Sequence, residues 1–315
     1  MITAVITTAL LAQQPITVNR RQVLSGLQVL NVCAAPKGAT FAASMEDSSV
    51  RIFDAVSGRT VRSFVGHPQP VYGLGFNPAG TILATGDETA RIYLWNVKTG
   101  AKIREFTRTS AHTRGVISIS FSSDGKRLVT SGRDDFLIVW DVATGKPLKK
   151  IPGGGANVAS AAYNLKNGNF YAATLGQGLM VYPKAGGQKS YGGHRGLGIS
   201  DFAINAAGTR GVTGGRDNAV TAWDVMTGKS LGTMAGHDDM VMHVAIAPNG
   251  RVVASSSIDR TVRIWSLSGF KPVGRLDDQS AVGAPLAFTA DGKYMISSTV
   301  SDMIQINTVS PSQAK

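Results

Sequence analysis

One cysteine, Cys33, is all that 315 residues contain, so no disulfide can form within the chain and no cysteine-based zinc or iron–sulfur centre can be assembled. Histidine is nearly as scarce, at five residues, which leaves little acid–base or metal-ligating capacity. Convincing helical periodicity is absent, and so is an apolar run of the roughly 20 residues that a bilayer-spanning helix needs. The apolar stretch from Ile2 to Ala12 is too short to span, although it has the length of a signal-peptide core and ends in a small residue before Gln13. A positive segment before it is missing, and Leu10 sits where a small residue is preferred. Residues 1–14 are therefore read either as a signal peptide cleaved near Ala12 or as a disordered tail, and localisation stays open between export and the cytoplasm. Acidic residues are in deficit, 20 against 32 Lys and Arg, for a net charge of +12, yet no basic run of five or more occurs. The excess is spread over turns and strands, so binding to nucleic acid or another polyanion is an alternative rather than the first expectation.

Glycine is plentiful, 37 residues without a Gly-X-Y period, which implies many tight turns and many short strands. The segments SVRIFDAVSG, RIYLWNVKTG, FLIVWDVATG, LMVYPKAGG, AVTAWDVMTG, TVRIWSLSG and MIQINTVSP place Phe53, Trp95, Trp140, Tyr182, Trp223, Trp265 and Asn307 at equivalent positions. Successive spacings of about 42, 45, 42, 41, 42 and 42 residues are those of a propeller blade. Upstream of these positions lie turn-plus-alternation runs such as FNPAGTILATG, FSSDGKRLVTSG and IAPNGRVVASSS, the grammar of a hairpin. The expected fold is all-β: a seven-bladed β-propeller over residues 15–310, each blade a four-stranded antiparallel sheet, with a short tail at 311–315. After Asn307 too little chain remains for the last outer strand, and ITVNRRQVL at 16–24 is expected to supply it, pairing in the last blade and closing the ring.

These motifs resemble the WD-repeat family over roughly residues 16–310. Gly66-His67, His112, Gly193-His194 and Gly236-His237 are similar to its loop Gly-His, and Trp140-Asp141 and Trp223-Asp224 are literal Trp-Asp pairs. Asp47, Asp134, Asp217 and Asp259 each stand six residues before the Trp-equivalent position, as the family's turn aspartate does. The resemblance implies a hydrogen-bonded set within a blade: His112, Thr130, Asp134 and Trp140; His194, Thr213, Asp217 and Trp223; His237, Ser255, Asp259 and Trp265. Blades three, five and six are then expected to be the most rigid. Blade one has Leu27 in place of the histidine, blade two has Thr89 in place of the aspartate with Asp87 and Glu88 before it, and blade four has Gly176 there. Blade seven has Ser301 and Asn307.

Four of the five histidines are taken by these loops, and the fifth, His243, sits in an alternating inner strand as a core or channel residue. No metal site, cofactor or catalytic residue is assigned: the histidines fall one to a blade, and the glycine runs lack the strand–loop–helix context of phosphate binding. What remains is surface. The resemblance implies docking on the face that carries the turns between second and third strands, lined by Tyr72, Arg133, Arg216, Met240, Met242 and Ile258, with Glu46, Glu88 and Ile117 alongside. Tyrosine and arginine are enriched at binding hot spots, and methionine adapts to varied partners. The expected function is a non-catalytic protein-interaction scaffold, a monomer or part of a larger complex. Its partner is a protein or peptide, with an acidic one suiting Arg133 and Arg216. The alternatives are a polyanion binder and, further off, a propeller enzyme.

Overall fold

The computed structural model describes residues 16–24, 28–109, 111–153, 158–194 and 197–311. The segment read as leader or tail, 1–14, lies outside the described residues, as do Leu27 and residues 312–315. Seven four-stranded antiparallel sheets follow one another along the chain. Blade one runs through Val29–Ala34, Thr40–Met45, Val50–Asp54 and Thr60–Phe64, from inner to outer strand. The inner strands of the next five blades are Val71–Phe76, Val116–Phe121, Val158–Tyr163, Ile199–Ile204 and Val241–Ile246. Blade seven keeps only Ala287–Phe288 as its inner strand. Its outer strand is Ile16–Leu24, which pairs antiparallel with Ile304–Pro311 and closes the ring between the two ends of the chain. Among the described residues no helix is long and apolar enough to cross a membrane.

The core is not central but divided into seven wedges, one between each pair of neighbouring blades. Phe64, Val50 and Ile52 of blade one meet Val71, Leu74, Leu83 and Trp95 of blade two, and Trp140 of blade three meets Leu94 and Phe106 of blade two. The ring closes on the same terms, with Met45 and Phe53 of blade one packed with Ile296 and Ile306 of blade seven. Each wedge narrows toward the axis, and there the second strand carries a small residue in every blade: Ser44, Gly86, Ser131, Ala173, Gly214, Ser256 and Ser298. The reason is steric. A Cβ on Gly86 would stand 2.6 Å from Cγ1 of Val116 in the next blade, and one on Gly214 would stand 2.7 Å from Cγ1 of Val241. Close packing leaves no room to absorb such overlaps.

Part of the positive charge is also structural. Arg21, Arg62 and Arg104, each on an outer strand, donate to the carbonyls of Val56, Lys98 and Thr144 in the next blade's turn between third and outer strand, at 2.8, 2.7 and 3.3 Å. The Arg21 guanidinium also donates to the Tyr294 hydroxyl at 2.7 Å and lies over its ring. These arginines tie neighbouring blades together at the rim.

Closure by the first strand has a measurable consequence. A chain that starts after Leu24 is expected to melt roughly 10 °C or more below one that starts at Pro15, since several kcal/mol of strand pairing are lost. Equal thermal midpoints in calorimetry would contradict the closure.

Candidate docking face and the buried relays beneath it

In four blades a histidine from the loop entering the blade lies between a carboxylate and a hydroxyl. His112 Nδ1 is 2.7 Å from Asp134 Oδ1, its Nε2 is 2.8 Å from Thr130 Oγ1, and the Trp140 indole N–H donates to that same oxygen at 2.9 Å. His194 with Asp217, Thr213 and Trp223 repeats this at 2.7, 2.8 and 2.8 Å. His237 with Asp259, Ser255 and Trp265 repeats it at 2.8 Å throughout. A neutral imidazole with its proton on Nδ1 uses every polar atom: tryptophan donates to the hydroxyl, the hydroxyl to Nε2, and Nδ1–H to the carboxylate.

The fourth relay is in blade two and corrects the expectation that Thr89 leaves that blade without its aspartate. His67 is 2.8 Å from Asp87 and 2.6 Å from Thr85, and the Trp95 indole N–H donates to Thr85 at 2.8 Å. Asp87 comes from the last residue of the second strand, two positions before the turn aspartate of the other blades. Thr89, at the turn position, donates from its amide and hydroxyl to Asp87 Oδ1. Blades three and five keep glycine where Asp87 stands. A Cβ on Gly132 would fall 2.5 Å from Asp134 Oδ1, and one on Gly215 equally close to Asp217 Oδ1. In blades three and five the turn supplies the carboxylate and this position is empty; in blade six the turn again supplies it and a small residue, Ser257, stands here with its hydroxyl turned to the Asp239 carbonyl. The signal available in the sequence was a carboxylate, Asp87, at a position that is Gly132, Gly215 and Ser257 in the other relay blades.

The remaining blades manage otherwise. Among the described residues Asp47 bonds only within its own turn, to Ser49 and Arg51, and its side chain is 36% exposed. In blade seven Asn307 takes the tryptophan's place and donates from Nδ2 to Ser297 Oγ at 3.2 Å. In blade four Tyr182 stacks on Phe170 with ring centroids 4.6 Å apart.

The order hydroxyl, imidazole, carboxylate is that of a nucleophilic relay. Ser255 is wholly buried, however, and its oxygen already takes the Trp265 indole proton, so no substrate can approach it. The same holds for Thr85, Thr130 and Thr213. The relays clamp the entering loop to the turn. Burial works to raise the Asp259 pKa, but bonds from Thr261, the Asp238 amide and His237 outweigh it and hold the carboxyl at about 2. Asp87 and Asp134 are likewise held below the ordinary carboxylate range against burial, chiefly by their histidines. Burial lowers the His237 pKa, the Asp259 bond opposing it.

Above the relays, one irregularity recurs. In each of the first six inner strands the pairing skips a residue at the same place: Leu30, Tyr72, Ile117, Ala159, Ser200 and Met242. A bulge of this kind re-aims the extra side chain. All six are half-buried, at the strand end next to the turns. Residues just past the bulge cross to the neighbouring blade. Asn31 donates to the Tyr72 carbonyl at 2.5 Å, Ser118 Oγ accepts the Ala161 amide at 2.9 Å, and Asp201 accepts the Val244 amide at 3.2 Å. His243 occupies this layer too, 3.6 Å from Asp201.

The docking candidates fall into three places on this face. Arg133 lies over the Tyr72 ring at 5.1 Å and pairs with Glu88 at 3.4 Å, joining blades two and three. Met240 and Ile258 are cross-strand mates through an Ile258 amide bond of 3.1 Å, with Met242 on the same strand as the bulged residue. Arg216 is exposed in blade five and makes no ion pair among the described residues. Sequence reasoning missed the exposed apolar side chains nearby, Leu197, Val282 and Val300. At the other mouth a cavity of about 290 Å³ lies among Cys33, Phe76, Ile119, Phe121 and Tyr163. Burial pushes the Cys33 thiol up to about 11, so it is held as the unreactive thiol.

Comparison with known proteins places three segments, 58–96, 103–141 and 228–266, in the family described as WD domain, G-beta repeat. Nuclear distribution protein PAC1-2 of Uncinocarpus reesii is 45% identical over 67 residues, 21% of this chain and 14% of that protein. Eukaryotic translation initiation factor 3 subunit I of Aspergillus fumigatus is 33% identical over 94 residues, 30% of this chain and 27% of that one. Pre-mRNA-processing factor 19 of Mus musculus is 34% identical over 88 residues, 28% and 18%. The matched part thus spans less than a third of each relative's length.

Two outcomes follow from the relays. Asp87→Ala is expected to cost about 3 kcal/mol in urea denaturation, as for loss of one partner of a buried pair, and Asp47→Ala under about 1 kcal/mol. The reverse order would overturn the assignment. Both shifts in the His237–Asp259 pair lie below the ordinary values, so each contributes stability at high pH that acid removes. The His237 contribution fades as pH falls below 6.5, and the Asp259 contribution fades from 3.8 down to about 2. Denaturation across pH 7 to 2 should show both losses, with the lower one reduced but not abolished in Asp259→Asn, because Asp87 and Asp134 lose stability in the same direction.

Proposed function

We propose that this WD-repeat β-propeller is a non-catalytic docking scaffold that holds a protein or peptide segment on the face bearing the bulged inner strands. The observation that carries the reading is the recurrence of the bulge. It turns six different side chains, Leu30, Tyr72, Ile117, Ala159, Ser200 and Met242, toward one rim, while the histidines beneath are consumed in clamping that rim. A rigid, chemically varied and half-exposed ring suits recognition, because little ordering cost is left for binding. The candidates Tyr72, Arg133, Arg216, Met240, Met242 and Ile258 belong to this face. One relative is by name a subunit of a translation initiation factor, in keeping with a role inside an assembly. The net charge of +12 adds long-range attraction for acidic partners, although some arginines are spent between blades.

A photoreactive amino acid placed at Ile117 or Met242 of the full chain, in its native host, should crosslink to discrete proteins. The same residue at Leu148, exposed on an outer strand of blade three, should not. Equal labelling at rim and outer strand, or none at the rim, would refute the reading.

A further inference from the structure

The rim is not uniform, and one sector departs from the rest in shape, polarity and charge. The other six inner strands span six residues, whereas blade seven retains two, Ala287–Phe288. The segment before it leaves the sheet in a turn that holds Val282 at 71% exposure and presses Gly283 against the Met242 side chain of blade six. Val300, on blade seven's next turn, is 53% exposed. Three backbone bonds make these turns one surface: Ile258 N to Met240 O, Gln279 N to Arg260 O, and Val300 N to Asp278 O. Met240, Met242, Ile258, Val282 and Val300 therefore form an apolar strip across blades six and seven, larger than the scattered single exposures that need no explanation.

The strip is bordered by acid in a chain whose net charge is +12. Asp239, Asp278 and Asp302 lie in the same loops and turns, with Glu46 on the adjoining turn of blade one, and none of the four makes an ion pair among the described residues. Asp238 beside them has a side chain 84% exposed, with Arg263 only at 3.8 Å. Arg260 is the basic residue of those same turns. At the base of the segment Gln279 is fully buried, and its Oε1 has no hydrogen-bond donor. The acidic side chains of this sector outnumber its basic ones, and apolar side chains lie among them.

We infer that this sector of blades six and seven is the docking site for a basic amphipathic segment of a partner protein, one whose apolar side chains cover Met242, Val282 and Val300 while its Lys or Arg side chains meet Asp239, Asp278, Asp302 and Glu46. The inference rests on the docking reading above and assigns the partner's chemistry. Arg133, already paired with Glu88 and stacked on Tyr72, belongs to a different sector and is not needed for it. Charge complementarity of this kind sets specificity and on-rate, with the apolar strip slowing release.

The test uses the full chain and two labelled synthetic peptides of about 16 residues, one built of leucine and lysine in amphipathic order, the other with glutamate for lysine. Saturable binding of the lysine peptide is expected by fluorescence anisotropy, weakened at least about tenfold by Val282→Lys or Glu46→Lys and by raised salt. It should be unchanged by Leu148→Lys. Val282, Glu46 and Leu148 are all exposed, so the variants should melt with the parent. No saturable binding, or binding indifferent to Val282→Lys and Glu46→Lys, overturns the inference. Preferential binding of the glutamate peptide, lost in Arg216→Glu, also overturns it but leaves the docking reading standing; only failure of the rim crosslinks removes that.

Discussion

A carboxylate withdrawn from water must be met by donors, and here that demand joins two segments far apart in the chain. Asp87, Asp134, Asp217 and Asp259 each find a histidine 20 to 23 residues upstream. Removing either member would leave the other buried and unpaired, a cost of several kcal/mol, so loop and turn are fixed together or not at all. Because these same loops and turns make the rim, the geometry of the proposed docking face is inherited from the buried pairs below it. The bulges above can vary their side chains freely because the scaffold under them is held by other means.

Blades without a relay are held by other contacts between their own strands. Tyr182 lies flat on Phe170, Asn307 reproduces the tryptophan's bond to a strand hydroxyl, and blade one leans on the Phe41–Phe53 stack at 5.5 Å. The small residue at the narrow end of each wedge is common to both kinds of blade. It follows from the geometry of a ring, in which strands converge on the axis and the space per side chain falls.

Much of this was legible in the sequence because it is periodic. The spacing of Trp95, Trp140, Trp223 and Trp265 marks the third strands, and the deficit after Asn307 points to closure by residues 16–24. Three relays could be expected from matching positions, and their hydrogen bonds are present in the structure. The blade-two relay was obscured because its carboxylate moved from turn to strand end, and a fixed offset from tryptophan cannot follow that shift. Bulges left no trace in the alternation, since a skipped residue such as Ile117 or Leu30 falls in step with the apolar residue two positions on, Ile119 or Val32. The exposed strip of blade seven was hidden for a related reason: SAVGAPLAF looks like any inner strand, and only the backbone shows that most of it leaves the sheet.

Pairing of Ile16–Leu24 with Ile304–Pro311 means that the first strand of the propeller can be seated only once the seventh blade exists. Its pairing partners lie 280 to 295 positions away, from Leu24 with Ile304 to Ile16 with Pro311, so loop-closure entropy must be overcome after six blades have stacked. Until then blade seven has an open edge and blade one an unfaced apolar wedge, the two surfaces most able to recruit another chain. The joint works as a latch. A nascent ring holds it open until residues 304–311 have been made, and the same seam is where a stressed molecule would be expected to unzip.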